Sequence, residues 1–180
     1  SVISWFEFFN LIIKIYKNIF LKLIFSLLNF SVLFIFSYYA YKLRNEAGEL
    51  IMLFILLVCI FSDVGGYVVG KNVGGKKLTK ISPNKTISGS IGSFLFSLFP
   101  IGIYAFLANI TYIDSFKFAL EKEVIVGCLI ISLISQLGDL IISYFKRLAK
   151  VKDTGNILPG HGGILDRIDG IIFTLITITF

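Results

Sequence analysis

The chain has 180 residues, of which 56% are hydrophobic and only 16% charged, with a mean hydropathy of +0.88. Ordinary soluble domains are about one quarter charged, so this composition excludes a water-soluble globular fold and places the chain in a bilayer. The formal charge of +6 leaves nucleic acid, anionic lipid or membrane topology as its cause, and its distribution decides between them.

No cleavable signal peptide opens the chain, because Trp5, Glu7 and Asn10 interrupt any short apolar core. The first residue is Ser1 rather than Met, which points to an N-terminus lying inside a longer protein. Residues 1–22 mix Lys14, Lys17 and Lys22 with aromatic and aliphatic side chains, a pattern that suits an amphipathic helix lying in the membrane interface. A span needs about 20 mostly apolar residues, and residues 23–41, ending in Tyr38 and Tyr39, form the first. Residues 50–62 are apolar but short, so they cross only if their helix continues through Asp63 and the glycines beyond. The 63–89 stretch, with Lys71, Lys76, Lys77, Lys80 and Lys85 among its glycines, reads as a functional loop.

A further span covers residues 90–110 and is interrupted by Pro100, which removes a helical hydrogen bond. Residues 111–123 are a mixed-charge connection, and residues 124–144 the next span, with Gln136 and Asp139 well inside it. A second basic loop covers 146–165, and a last helix, short for a full crossing, covers 166–180. Cys59 and Cys128 lie within apolar runs, where a free cysteine acts as a small hydrophobe. The expected fold is therefore all-α: a single domain forming a polytopic helix bundle of about five transmembrane helices plus the interfacial helix.

Of the 17 Lys and Arg residues, all but Lys42, Arg44, Lys117 and Lys122 fall in residues 1–22, the 63–89 loop or the stretch Lys146 to Arg167. The positive-inside rule then puts the N-terminal helix and both loops in the cytoplasm. Topology accounts for much of the charge, and nucleic acid has no place in the account.

An ionisable residue at membrane depth marks a functional site by default, and Asp139 is one, with Gly138 beside it and Ser143 one turn further on the same face. Alone, it could equally be a helix-to-helix hydrogen bond. Asp166 and Asp169, spaced i and i+3 at the start of the next helix, change that balance. Acids in a first helical turn suit the helix dipole, but the dipole does not explain Lys146, Arg147, Lys150 and Lys152 in the loop before them. Convergence of Asp139, Asp166 and Asp169 would give an all-carboxylate site of the kind Mg²⁺ prefers. Carboxylates interleaved with cations are the equipment of phosphoryl transfer, so the expected substrate carries phosphates.

The glycines around residues 155 and 162–163 could turn backbone amides toward an anion. His161, the only histidine, is by itself a surface residue; between these glycines it becomes a candidate for phosphate contact or proton transfer. Residues 70–77, GKNVGGKK, fit the spacing of a P-loop superficially, but lack the following Ser or Thr and any strand-loop-helix context. What remains there is a lysine and glycine loop able to wrap polyphosphate, against the plainer reading that its lysines enforce topology or attract anionic lipid.

These polar positions resemble the phosphatidate cytidylyltransferase family, the CDP-diacylglycerol synthases. The likeness is carried by Ser143, Lys146-Arg147, Lys152-Asp153, Gly155, Pro159, His161-Gly162-Gly163, Asp166-Arg167 and Asp169, and upstream by Asp63, Tyr67, Gly70-Lys71, Gly75-Lys76, Ser82-Pro83, Lys85-Thr86 and Gly89. The resemblance implies a multi-pass inner-membrane (plasma-membrane) enzyme that transfers CMP from CTP to phosphatidic acid, with Mg²⁺ and a monovalent cation such as K⁺. It implies Asp139 and Asp166 as metal ligands, with Asp169, Lys146 and His161 also at the catalytic centre. Ser143, Arg147, Lys152, Asp153 and Arg167 would then hold phosphates, and Asp63, Lys71, Lys76, Ser82, Lys85 and Thr86 would line the nucleotide pocket. A homodimer is an open assembly. Ile142 stands where the family usually has Glu, and the chain covers roughly the C-terminal two thirds of the family architecture.

Other readings remain. A CTP-dependent polyprenol or phytol kinase would transfer the γ-phosphate instead, and a transporter would use Asp139 as an ion site. A CDP-alcohol phosphotransferase would need motifs absent after Asp169-Gly170, and an inactive fragment would lack essential spans.

Overall fold

The computed structural model describes residues 2–111, 122–158 and 162–179. Its helices, in chain order, are α1 (Val2–Ile15), α2 (Ile19–Glu46), α3 (Glu49–Val73), α4 (Ile87–Phe96), α5 (Phe99–Thr111), α6 (Lys122–Leu148) and α7 (Leu165–Thr179). The isolated bridges Lys77–Thr86 and Leu158–Gly162 are the extended pairings among these residues. The chain is an all-α polytopic membrane protein in which α2, α3, the Ile87–Phe106 stretch and α6 are long and apolar enough to cross a bilayer. α7 has 15 residues, short of the roughly 20 a crossing takes. The described residues divide into two compact units, Ser1–Leu43 with Leu137–Phe180, and Arg44–Gln136.

In the Arg44–Gln136 unit, α3 runs on through Asp63 to Val73, so the loop expected over 63–89 shrinks to residues 74–86. The reason lies in the seam with α4. A Cβ at Gly65 would stand 2.5 Å from the carbonyl oxygen of Gly92, and one at Gly89 2.7 Å from that of Gly66. Glycines in a helix interior each cost roughly 1 kcal/mol relative to alanine. Here they let two backbones touch, as small residues do where lipid gives no hydrophobic drive for helix association.

A chain of side-chain hydrogen bonds joins α3, α6 and α4. The Ser62 and Ser132 hydroxyls lie 2.7 Å apart, Gln136 Nε2 donates to Ser132 Oγ at 3.2 Å, and Ser90 Oγ donates to Gln136 Oε1 at 2.6 Å. Gln136 is thereby satisfied inside the helix packing. The expected interruption by Pro100 is present: α4 ends at Phe96 and α5 starts at Phe99, which places the proline in a first turn where its missing N–H costs nothing.

In the other unit, α1 is amphipathic, burying Ser4, Glu7, Phe8, Leu11 and Ile12 and exposing Val2, Ile3, Phe6 and Ile13. At 14 residues it is too short to cross. Its buried face joins Leu33 of α2, Ile142 of α6 and Leu165 and Ile172 of α7 in one apolar cluster. Trp5 Nε1 donates to the Ser26 carbonyl at 3.3 Å, and Phe8 meets Phe145 edge-on at 5.1 Å. α6 ends in a Schellman closure: Val151 N–H donates to the Lys146 carbonyl and Lys150 N–H to that of Arg147, each at 3.0 Å. Lys150 takes the left-handed position, with φ 56°.

Candidate active site

The carboxylate site lies in the unit built from α1, α2, the second half of α6 and α7. Residues 139, 143 and 146 follow an i, i+4, i+7 stripe along α6, and Asp166 and Asp169 an i, i+3 stripe along the start of α7. Gly138 brings the helices together, since a Cβ there would lie 3.0 Å from the carbonyl oxygen of Asp169 and 3.2 Å from Cα of Gly170. Ser143 Oγ donates to Asp139 Oδ1 at 3.2 Å, and Gly170 N–H donates to Asp169 Oδ1 at 2.8 Å. Asp169 and Ser143 are both buried.

Asp166 is bonded through both of its carboxylate oxygens. Its Oδ1 accepts from Lys146 Nζ at 2.7 Å in an ion pair whose side chains are 11% and 8% exposed. Its Oδ2 accepts from Thr154 N–H at 2.8 Å, Thr154 Oγ1 at 3.0 Å and Gly163 N–H at 3.0 Å. Burial alone raises the Asp166 pKa, but the Lys146 hydrogen bond, the Thr154 and Gly163 amides and the Lys146 charge together bring it below the usual aspartate value.

A carboxylate that sequence reasoning did not single out completes the loop. Glu7 of α1 is 3% exposed; its Oε1 accepts from Ile164 N–H at 3.0 Å and its Oε2 from Leu165 N–H at 2.7 Å. These amides belong to the start of α7, where helical N–H groups have no intrahelical partner and the dipole favours negative charge. The signal was in the α1 periodicity: Glu7 falls on the same stripe as Ser4, Phe8, Leu11 and Ile12, where an acid cannot be solvated.

The glycines near residue 163 make room for these acids. A Cβ at Gly163 would lie 2.7 Å from both Glu7 oxygens, and one at Gly162, where φ is 84°, 3.0 Å from Asp166 Oδ2. The Gly163 amide therefore serves the protein's own carboxylate, which corrects the expectation that it faces a bound anion. Lys152, Asp153 and Arg167 are exposed at the same end, and exposed Arg147 donates to the Val151 carbonyl at 3.2 Å. His161 lies outside the described residues. Ile142, 6% exposed, packs into the apolar cluster with Phe8 and Leu165 rather than joining the acidic stripe.

The upstream candidates belong to the other unit. Asp63 and Lys71 lie exposed on α3, not in a loop as expected, and Lys71 stands over the Tyr67 ring at 5.6 Å. Ile87 N–H donates to the Lys76 carbonyl at 3.0 Å and Leu78 N–H to that of Lys85 at 2.8 Å, folding residues 76–87 into a tight reversal. Ser82 N–H donates to Thr79 Oγ1 at 3.2 Å. Thr86 is the N-cap of α4, its Oγ1 accepting from Gly89 N–H at 3.0 Å, so the Thr-x-x-Gly spacing has a folding role: cap first, helix contact three residues later.

No three His, Cys, Asp or Glu side chains among the described residues stand close enough together to hold a metal. In donor chemistry, the aspartates on the facing α6 and α7 stripes fit a hard divalent cation, being oxygen ligands without nitrogen or sulfur. Lys146 already sets a positive charge against Asp166 Oδ1.

The model of the cytidylyltransferase family matches residues 1–180. The chain is 41% identical over 157 residues to a phosphatidate cytidylyltransferase of Staphylococcus saprophyticus, covering 87% of this chain and 57% of that protein. Over 143 residues it is 41% identical to the phosphatidate cytidylyltransferase of Bacillus subtilis, covering 77% of this chain and 50% of that one. A Rickettsia bellii phosphatidate cytidylyltransferase is 43% identical over 126 residues, which is 69% of this chain and 54% of that protein. The chain thus spans little more than half the length of these relatives. With a family match along its whole length and relatives above 40% identity, the chain belongs to the cytidylyltransferase family.

Proposed function

We propose that this chain carries the catalytic region of a nucleotidyltransferase that transfers CMP from CTP to phosphatidic acid, forming CDP-diacylglycerol and releasing pyrophosphate. The observation that carries the reading is the acidic stripe of α6 and α7, with Asp166 locked to Lys146. A phosphate oxygen of phosphatidic acid attacks the α-phosphorus of CTP. The new P–O–P linkage forms as the bond from that phosphorus to the β-bridging oxygen breaks, and pyrophosphate leaves with the electron pair. No protein nucleophile is needed.

Ser143 orients Asp139, and Thr154 and the Gly163 amide orient Asp166. Lys146 supplies a fixed positive charge, and exposed Arg147, Lys152 and Arg167 supply phosphate contacts at the mouth of the site. Mg²⁺ held by Asp139 and Asp166, with K⁺ as a companion ion, would lower the repulsion between the two phosphates. The same proposal places the protein in the inner membrane with the basic loops in the cytoplasm, supported by the bias of Lys and Arg toward residues 1–22 and the two loops.

The test is an assay with phosphatidic acid and CTP labelled at either the α- or the γ-phosphorus. Label in the lipid product from the α position, dependent on Mg²⁺, is expected. Transfer of the γ label would make the protein a lipid kinase and overturn the reading.

A further inference from the structure

We propose that Glu7 is a positioning residue, clamping the start of α7 and the loop before it so that Asp166 remains turned toward Lys146; this rests on the functional reading above. Glu7 stands 157 and 158 residues away in sequence from the two amides it holds, so its contacts are a product of the fold and not of local chain geometry. The loop is closed on it from several sides: a Cβ at Gly155 or Gly163 would come within 2.7 Å of Glu7 Oε1. The two amides are those of Ile164 and Leu165, which immediately precede Asp166, and the Gly163 amide before them donates to Asp166 itself. Fixing residues 163–165 fixes the direction in which the Asp166 side chain leaves the backbone.

Thr154 couples the two acids. Its hydroxyl lies 3.0 Å from Asp166 Oδ2 and 3.4 Å from Glu7 Oε2. One hydroxyl carries one proton, and the shorter contact commits it to Asp166; Glu7 is left to hold the helix start. α1 is itself tied down by the Trp5 bond to Ser26 and by the Phe8–Phe145 contact, so the clamp is anchored on a packed helix.

The experiment compares wild type with Glu7→Asp, Glu7→Gln and Glu7→Ala in the purified membrane protein, reading backbone hydrogen exchange by peptide together with kcat and KM for CTP. In Glu7→Gln and Glu7→Ala, exchange in the peptide covering residues 154–165 rises about tenfold or more, while α3 peptides keep their protection. In those variants kcat falls about tenfold or more with KM for CTP nearly unchanged, because misplacement of a reacting geometry is costly while nucleotide affinity is not. Glu7→Asp, which keeps the charge with a shorter reach, recovers part of both effects.

Unchanged exchange at 154–165 overturns the clamp. Raised exchange with kcat intact makes Glu7 structural only and overturns the positioning role. Exchange is readable whether or not CTP is consumed, so a wild type without CMP transfer defeats the functional reading separately.

Discussion

Glycines crowd both the α3–α4 seam and the loop before α7, and they do opposite jobs there. At the seam, Gly65, Gly66, Gly89 and Gly92 remove side chains so that backbone meets backbone. Before α7, Gly155, Gly162 and Gly163 remove side chains so that the acids Glu7 and Asp166 can lie against the chain. One region is held by dispersion and close approach, the other by charge-assisted hydrogen bonds. A glycine-rich motif in a membrane protein therefore does not announce a ligand loop until its neighbours are known.

The largest expected break of this contrast is Lys146→Met. It leaves Asp166 buried with its amide donors but without its cation, and removing one partner of a buried pair costs roughly 3–5 kcal/mol. The pH dependence should shift with it. Because Asp166 is held below its ordinary value, its contribution to stability is present above the unfolded aspartate pKa and is lost as pH falls through its lowered folded value. Without Lys146 the folded value rises toward or above the unfolded one, so this contribution shrinks and its loss is complete at higher pH, read from the pH dependence of thermal unfolding in detergent.

Next in size is Gly92→Ala, whose new Cβ would meet the Gly65 carbonyl at 2.8 Å and the Val69 side chain at 2.5 Å. It should cost about 1–3 kcal/mol by overpacking, seen as a lower melting temperature with the loop before α7 still protected from exchange. Gly127→Ala in α6 is the control: nothing lies within 4 Å of its Cβ, so stability should stay level or rise by up to about 1 kcal/mol. The smallest change is Lys150→Asn. Asparagine tolerates the left-handed conformation better than lysine, so it should gain a few tenths to about 1 kcal/mol, measured as a small rise in melting temperature.

Much of the fold was legible, because membrane spans declare themselves by length and hydropathy. The break at Pro100 and the amphipathic α1 followed from chemistry local to those residues. The extent of α3 did not: Gly65, Gly66 and Gly70 carry poor helix propensity, and the α4 backbone that makes their helix worthwhile lies about twenty residues further on. Within the site, the spacing of Asp139 and Ser143 foretold a shared face, and their hydrogen bond runs along it; Lys146, expected in the loop, extends that face because the helix continues to Leu148. Sequence spacing could not show that Asp166 spends its oxygens on Lys146, Thr154 and Gly163, since those bonds depend on the path of the loop. Glu7 was hidden for the same reason, its partners lying at the far end of the chain.

The central claim is that the α6–α7 acidic stripe performs CMP transfer, and the direct measurement is turnover of CTP with phosphatidic acid by Asp139→Asn. Asparagine keeps the size of the side chain and can still accept from Ser143, so helicity and melting temperature should stay near wild type while CDP-diacylglycerol formation falls about a hundredfold or more. A folded Asp139→Asn protein that forms CDP-diacylglycerol at the wild-type rate would contradict the account.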